Sequence, residues 1–544
     1  MRLELPKEQL VIPSGTVAST ADVIRRLADV EGLGVITTKS IGLSERDGYK
    51  EPIIAGVAAS LVNAVGLANP GVDAYLEEIK STYPLKKVLM TSIFGGTPKE
   101  FAELAERVEK HTDWIELNLS CPHAEGYGAA IGNHLDLVAE VVLAVRGSTD
   151  LPIFVKVIPS QGCAGLMAKR AVDKGANGIT AVNTLGPVAF LDETTGRPLL
   201  SNVLGGLSGI ALKEIAIRCV REVRERVTVP IIGMGGICTH ADIDAFRSAG
   251  ASLFGIGTAL AGMNTEAIGA YFRALSSSDP SGERALVMPP LGYQTLQVRE
   301  TWGNSAMRVL VLDGVMDAVP GQFIFLWLPG IGEKPFSLAS RSPIMVLIKS
   351  LGVVSSALAS LEEGSTIFIR GPYGNGYRPS GKVGLVGGGS GVAPIHFIAS
   401  EFGEMVEAAL IGGRNSLELP LYDNLRSHVE TRATTEDGSL GAKGLVTDIL
   451  DPNHLGVKEF FNCGPELMLV RVAEMECTVV DASRIYCAVE RYTKCGIGLC
   501  GSCAMDGFRI CVDGPVFPYS ILRNGSDFGR FKRRVSGRRV PLNA

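Results

Sequence analysis

Between residue 10 and about residue 260, short apolar runs rich in β-branched residues alternate with amphipathic helical stretches. The runs are "LVIPSGTV", "GVITTKS", "VLMTSI", "WIELNLS", "PIFVKVIP", "GITAVNT", "PIIGMGGI" and "LFGIGTAL", with stretches such as "PKEFAELAERVEKH" between them. A run of strand length followed by a segment of helical period is a βα unit, and such units in series build a parallel sheet covered by helices. The series predicts an α/β fold that begins with a (β/α)8 barrel over residues 1–276. An open doubly wound sheet is the alternative, because periodicity does not show closure.

The pattern then changes. "SSSDPSGERALVMPP" is rich in Ser, Pro and Gly and reads as a linker, placed at 277–292. Residues 293–380 carry short strands broken at "PGQF", "LPGIGEKP" and "GPYGNGY", which predicts a small antiparallel β-barrel. "GKVGLVGGGSGVAPIHFIASEF" is a strand, a glycine turn and a helix, and it opens an α/β domain over 381–483. Residues 484–544 hold a cysteine cluster and a basic run, Arg530, Lys532, Arg533, Arg534, Arg538 and Arg539, expected to be a solvated tail.

Composition narrows the function classes. Of 544 residues, 46% are hydrophobic and 20% charged, which is ample material for several cores. A net charge of -5 and the lack of a basic stripe interleaved with aromatics argue against nucleic acid as a partner. No apolar run reaches the length of a membrane span, and "MRLELPKEQL" lacks a signal-peptide pattern, so a cytoplasmic protein is expected. In that reducing compartment, cysteines serve as metal ligands or reactive groups more often than as disulfides.

Candidate chemistry gathers where the barrel strands end: Ser14-Gly15, Lys39-Ser40, Ser92, Asn118 with Cys121, Lys156, Asn183-Thr184, Gly235-Gly236 and Gly257-Thr258. In such a barrel these ends form the active-site face, and lysines closing apolar strands are hard to explain as mere turns. Gly235, Gly236 and Gly257 follow strands seven and eight, where backbone amides bind phosphate, which suggests a phosphorylated cofactor. Cys121 is the candidate general base. Asn63, Asn118 and Asn183 each combine a donor and an acceptor suited to the lactam edge of a planar heterocycle. Lys156 would set positive charge where a reduced flavin becomes negative.

In the second half, the turn holding Gly387, Gly388, Gly389 and Gly391, followed by Pro394, suits a dinucleotide pyrophosphate. Cys463 and Gly464 in "NCGPE" could lie near a nicotinamide. Cys495, Cys500, Cys503 and Cys511 are spaced C-x4-C-x2-C-x7-C. That is the plant-type 2Fe-2S pattern with a short final interval, whereas zinc knuckles come as paired C-x2-C, and bare thiols are the third reading.

These motifs also carry a resemblance. Residues 1 to about 275 resemble the catalytic subunit of class 1 dihydroorotate dehydrogenase through "TKS", "NAVGLANPG", "NLSCP", "FVKV", "VNT", "GGLSG", "GMGGI" and "GTAL". Residues 293 to about 520 are similar to the electron-transfer subunit of the NAD-linked form through "EKPFSL", "GPYGNGY", "VGGGSGVAP", "TEDGSLGAKGLVTD", "NCGPE" and the cysteine run. The resemblance implies two subunits fused end to end, with NAD(H), FAD, a 2Fe-2S cluster and FMN in series to a pyrimidine, and a homodimer through the barrel. It implies that Cys121 takes the C5 proton of dihydroorotate while Lys39, Asn63, Gly66, Leu67, Asn118, His123, Asn183 and Thr184 hold it. FMN would use Ser14, Lys39, Ser40, Asn118, Lys156, Val182, Gly209, Gly235, Gly236, Gly257 and Thr258. FAD would use Lys334, Pro335, Phe336, Ser337, Ser355, Gly371 and Gly374. His123 stands where the family has asparagine, which keeps open a dihydropyrimidine dehydrogenase acting on uracil or thymine. A flavin and iron-sulfur carrier without turnover in the barrel is the reading from another class.

Overall fold

A computed structural model describes residues 3–119, 134–160, 162–277 and 289–543. The chain divides into two compact units. One is Met1–Pro289 with Ile497–Arg509 and Arg533–Val540, and the other is Pro290–Gly496 with Ile510–Lys532 and Pro541–Ala544.

The first unit begins with strands β1 (Leu10–Ile12), β2 (Leu33–Thr37), β3 (Ile54–Val57), β4 (Ser60–Asn63), β5 (Val88–Ile93), β6 (Trp114–Asn118), β7 (Ile153–Val157), β8 (Gly178–Ala181), β9 (Leu185–Ala189), β10 (Leu204–Gly209), β11 (Ile231–Met234) and β12 (Leu253–Gly255). Among the described residues, β1-β12-β11-β8-β7-β6-β5-β2 close into one parallel barrel, which decides against the open sheet. Each barrel strand lies on one of the apolar runs, as expected where both faces of a parallel sheet are covered. Val11, Val35, Met90, Trp114, Phe154, Ile232, Met234 and Leu253 form one core, with Trp114 stacked on Phe154 at 4.9 Å. The helix Pro98–Val108 shows why the outer layer forms. Thr97 caps it, proline occupies its first turn, and Phe101, Leu104, Ala105 and Val108 make one buried stripe.

Strands β3-β4-β10-β9 form a separate antiparallel sheet that the hydrophobic pattern did not predict. Its strands are short, β10 reads "LGGLSG" with little strand propensity, and β4 pairs with β10 across a long stretch of chain.

In the second unit, β13 (Gln294–Gly303), β14 (Met307–Leu312), β15 (Phe323–Leu328), β16 (Gly332–Arg341), β17 (Ile344–Lys349) and β18 (Thr366–Tyr373) close into an antiparallel barrel. Leu310, Leu312, Ile324, Leu326, Leu338 and Ile369 fill its interior. There follow β19 (Val383–Gly388), β20 (Val406–Gly413), β21 (Thr431–Thr435), β22 (Ala442–Lys443), β23 (Glu459–Cys463) and β24 (Ile485–Ala488). The small hairpin β25 (Ala504–Met505) and β26 (Phe508–Arg509) belongs to the first unit, and β27 (Val516–Pro518) returns to the second. The sheet order is β22-β21-β20-β19-β23-β24-β27, parallel except for β27. An antiparallel barrel followed by a mostly parallel α/β sheet is the order expected for residues 293–483.

The basic run corrects an expectation. β28 (Phe531–Arg533) and β29 (Arg539–Pro541) pair, and Arg533, only 8% exposed, donates to both carboxylate oxygens of Glu78 at 3.0 and 2.8 Å. Arg538 and Ser536 both engage Glu45, at 3.0 and 2.6 Å. Acidic partners from the barrel helix Val72–Ile79 and a nearby loop turn this segment from a solvated tail into part of the first unit.

Candidate active site and cofactor sites

At the C-terminal ends of the barrel strands, a chain of polar groups crosses from β2 to β6. The Asn118 amide donates to Ser40 Oγ at 2.9 Å, Ser40 and Ser92 hydroxyls are 2.9 Å apart, and Ser92 donates to Glu116 Oε1 at 3.0 Å. Because Ser92 spends its proton on the carboxylate, Ser40 is the donor to Ser92. Lys156 on β7 donates to Ser14 Oγ at 2.8 Å and stands 3.9 Å from Glu116 Oε1. Glu116 is fully buried and Lys156 is 4% exposed.

Parallel register explains this convergence. Ser92 lies opposite Glu116, and Asn118 opposite Lys156. Alternation along β6 then puts Glu116 and Asn118 on the same face. Glu116 was not among the candidates read from sequence. A carboxylate inside "WIELN", next in the strand series to "FVKV", was the available signal.

A second group of predicted residues meets at the other side of the barrel mouth. Thr258 donates to Ser208 Oγ at 3.0 Å, and a Cβ on Gly209 would lie 3.3 Å from the Thr258 methyl. Gly236, at φ +79°, is so close to the chain after β10 that a Cβ would meet Gly209 O at 2.7 Å. Only glycine fits there, so the backbone can approach an anion closely. Gly257 precedes the short turn Thr258–Leu260. Val182 N–H donates to Met234 O at 3.1 Å, and Asn183 N–H to Val157 O at 3.0 Å, which holds both at the ends of the strands. Buried lysine, hydroxyls and a glycine cradle fit a flavin phosphate and ring.

Other predicted residues are placed differently. The Asn63 amide donates to Gly206 O at 3.3 Å across β4 and β10 rather than into the hydroxyl chain. Gly66 and Leu67 both take positive φ, and Gly66 O accepts from Arg46 Nε at 2.8 Å. Gly15 is exposed, and Lys39 is half-buried with its N–H on Ala18 O at 3.1 Å. Cys121 and His123 lie outside the described residues.

In the second unit, Lys334, Pro335, Phe336 and Ser337 follow one another along β16, half-buried. Lys334 Nζ sits 4.7 Å over the Tyr492 ring and 3.3 Å from its hydroxyl. Gly371 and Gly374 both have positive φ. The Ser355 hydroxyl accepts from the N–H groups of Leu351 and Gly352, at 2.9 and 3.0 Å, so it caps its own helix. Gly387 and Gly388 end β19, and the turn Gly389–Gly391 leads into the helix Val392–Phe402, which carries Pro394 in its first turn. A Cβ on Gly391 would lie 2.2 Å from Cys463 O, and one on Gly464 3.0 Å from Gly388 N. These glycines therefore bring the β19 turn and "NCGPE" together, as a dinucleotide site needs. Burial and the Glu490 carboxylate push the Cys463 thiol up to about 12.

Cys495, Cys500, Cys503 and Cys511 are all buried and free of disulfides. Gly496, Gly498 and Gly501 have φ of +77°, +74° and +67°, so the chain turns repeatedly between them. Among the described residues, no three His, Cys, Asp or Glu side chains gather as a site for a metal ion. A dinuclear cluster brings its own bridging sulfides and takes thiolates on two irons, and each of these thiols, buried and free of a disulfide, is of the kind it takes. In the first unit, Arg509 donates to Gly498 O at 2.7 Å and Met263 O at 2.9 Å, and Val17 N–H donates to Leu499 O at 2.7 Å.

Comparisons with known proteins point to one family. Residues 6–270 match the family model "Dihydroorotate dehydrogenase", and residues 490–523 match "Iron-sulfur cluster binding domain of dihydroorotate dehydrogenase B". The chain is 45% identical to the dihydroorotate dehydrogenase B (NAD(+)) catalytic subunit of Pyrococcus abyssi over 47% of its own length and 84% of the relative's. The catalytic subunit of Methanocaldococcus jannaschii is 42% identical, over 46% of this chain and 83% of that one. The probable electron-transfer subunit from Pyrococcus abyssi is 44% identical over 45% of this chain and 96% of its own.

Proposed function

Since the chain belongs to the dihydroorotate dehydrogenase B family and matches both of its subunits, we propose that one polypeptide carries the whole route from pyrimidine to nicotinamide. It oxidises (S)-dihydroorotate to orotate with NAD+ as acceptor, in pyrimidine biosynthesis. The observation that carries this is the presence of both subunit matches in a single chain. The relatives do not favour the dihydropyrimidine dehydrogenase alternative. When bound, FMN, the 2Fe-2S cluster and FAD supply the hydride and single-electron chemistry that side chains lack.

The residues divide the remaining work. Cys121 takes the C5 proton. Lys39, Asn63, Gly66, Leu67, Asn118, His123, Asn183 and Thr184 orient the ring. This assignment is supported by Asn118, whose amide is anchored on Ser40 and so is fixed for a ligand. Lys156 and Ser14 hold charge and a hydroxyl at the flavin, and Gly209, Gly235, Gly236, Gly257 and Thr258 give its phosphate room. The "EKPFSL" strand and Gly371 receive FAD. Gly387 to Gly391 and Cys463 receive NAD, and the four cysteines hold the cluster. The same reading makes the protein a cytoplasmic dimer through its barrel, to be checked by light scattering. No helix of the described residues is long and apolar enough to cross a membrane.

The test is cofactor content per chain together with turnover on dihydroorotate against dihydrouracil. FMN, FAD, iron and sulfide with dihydroorotate oxidation are expected, and activity confined to dihydrouracil would overturn the substrate. Replacing Cys121 by Ala should abolish that oxidation while NADH-driven dye reduction persists.

A further inference from the structure

Arg370, within β18, is 1% exposed, and its side chain is held by groups of the second unit. Nε and Nη2 donate to the two oxygens of Glu333 at 2.9 and 2.7 Å. Tyr293 donates to the same carboxylate at 2.7 Å. The guanidinium carbon lies 3.9 Å from the Phe325 ring centroid. What remains is Nη1, which donates to Tyr373 Oη at 2.9 Å and to the backbone carbonyl of Cys495 at 3.1 Å.

Burying an ion pair is no better for stability, on average, than filling the same space with apolar side chains. The pair therefore needs another reason to be here. Apolar residues could fill the space, but they would leave Cys495 O and the Tyr293 and Tyr373 hydroxyls without these partners and would take the charge away from the Cys495 carbonyl. The next residue is shaped by the same wall. Gly496 has φ +77°, and a Cβ there would lie 2.8 Å from Phe325 and 3.3 Å from Tyr373. The Cys495-Gly496 turn is thus seated on the two aromatic rings, Phe325 and Tyr373, that also pack against Arg370.

We propose that Arg370 is a positioning residue for the iron-sulfur cluster: it fixes the Cys495 backbone and, together with Glu333, sets the electric field at the cluster. The inference rests on reading Cys495 as a cluster ligand. Hydrogen bonding and net charge around the ligands are the levers by which a protein tunes such a centre.

The experiment uses the full-length holoprotein, with anaerobic redox titration and electron paramagnetic resonance of the reduced cluster. Glu333→Gln keeps the shape, removes the anion and leaves the cation, so the midpoint should move to more positive potential. Arg370→Met combined with Glu333→Leu removes both charges and the Cys495 donor. That variant should still unfold in one cooperative transition but show altered g-values and a more negative potential, or lose iron while still folded. Shifts of opposite sign are not what general loosening would give. If the double variant fails to fold, Glu333→Gln decides alone. Wild-type spectra and potentials in loaded variants would overturn the proposal while leaving the family reading intact. Wild-type protein that binds no iron after reconstitution would overturn the ligand assignment, and this inference with it.

Discussion

Each unit buries basic side chains against glutamates, and one such pair from each is built in the opposite way to the other. In the second unit, Arg370 and Glu333 meet through two parallel hydrogen bonds, and both side chains are fully buried. In the first, Lys156 stays 3.9 Å from Glu116 and reaches Ser14 instead, and Glu116 Oε2 has no hydrogen-bond partner among the described residues. A closed pair answers its own charges and acts through the backbone it holds, here the Cys495 carbonyl. An open pair leaves capacity that a ligand can use. Burial alone does not mark a site for a ligand; a buried charge with unmet hydrogen-bonding capacity at the barrel strand ends is the stronger sign.

The sharpest way to break the comparison is to remove one partner from each pair. Arg370→Ala should destabilise the second unit by about 3–5 kcal/mol, because it strands a buried carboxylate. Urea denaturation checks it. Lys156→Ala should instead lose about 10²–10³ in dihydroorotate turnover, as a positioned charge at a reacting centre does, with a smaller loss of stability. Steady-state kinetics beside the same denaturation curve separates the two.

Next in size is Ser92→Ala. It takes the hydroxyl from Glu116 Oε1 and breaks the chain to Ser40 and Asn118, at a cost of about 1–3 kcal/mol measured by denaturation. An exposed serine mutated in parallel should cost almost nothing.

The pair Lys213 and Asp242, 2.8 Å apart, lies between the two extremes and supplies a pH test. Burial alone would raise the Asp242 carboxyl. Hydrogen bonds from Lys213 and from the Cys238 and Thr239 amides outweigh it, and the carboxyl is held below its ordinary 3.8. Its stabilisation is therefore present above that value and is lost as pH falls through the depressed one. Thermal melts between pH 5 and about pH 2 should show an acid loss that Asp242→Asn lacks.

A last test concerns Cys463, a half-buried thiol beside the Glu490 carboxylate. With its thiol pushed up to about 12, it should be alkylated by iodoacetamide at pH 8 roughly a thousandfold more slowly than an ordinary thiol. Mass spectrometry of the time course checks this.

How much of this was legible beforehand varies by element. The eight barrel strands were readable because each is buried on both faces and so is apolar throughout, as in "LGVIT" and "IFVKV". The antiparallel sheet was not, because Gly205, Gly206 and Gly209 dilute β10 and its partner is distant in sequence. Lys156 was found because a lysine in an apolar strand stands out. Glu116 carried the same anomaly, but its meaning depends on which strand lies beside it.

By itself the sequence determined which segments are strands and helices, where glycine must turn the chain, and which thiols share one loop. All of these follow from local periodicity and backbone sterics, which act over a few residues. Only the tertiary structure decided that the barrel closes, that Glu116 faces Ser92 and Lys156, and that Arg533 finds Glu78 and is buried. Those outcomes depend on register and on charges meeting across hundreds of residues, and no local pattern encodes such a meeting.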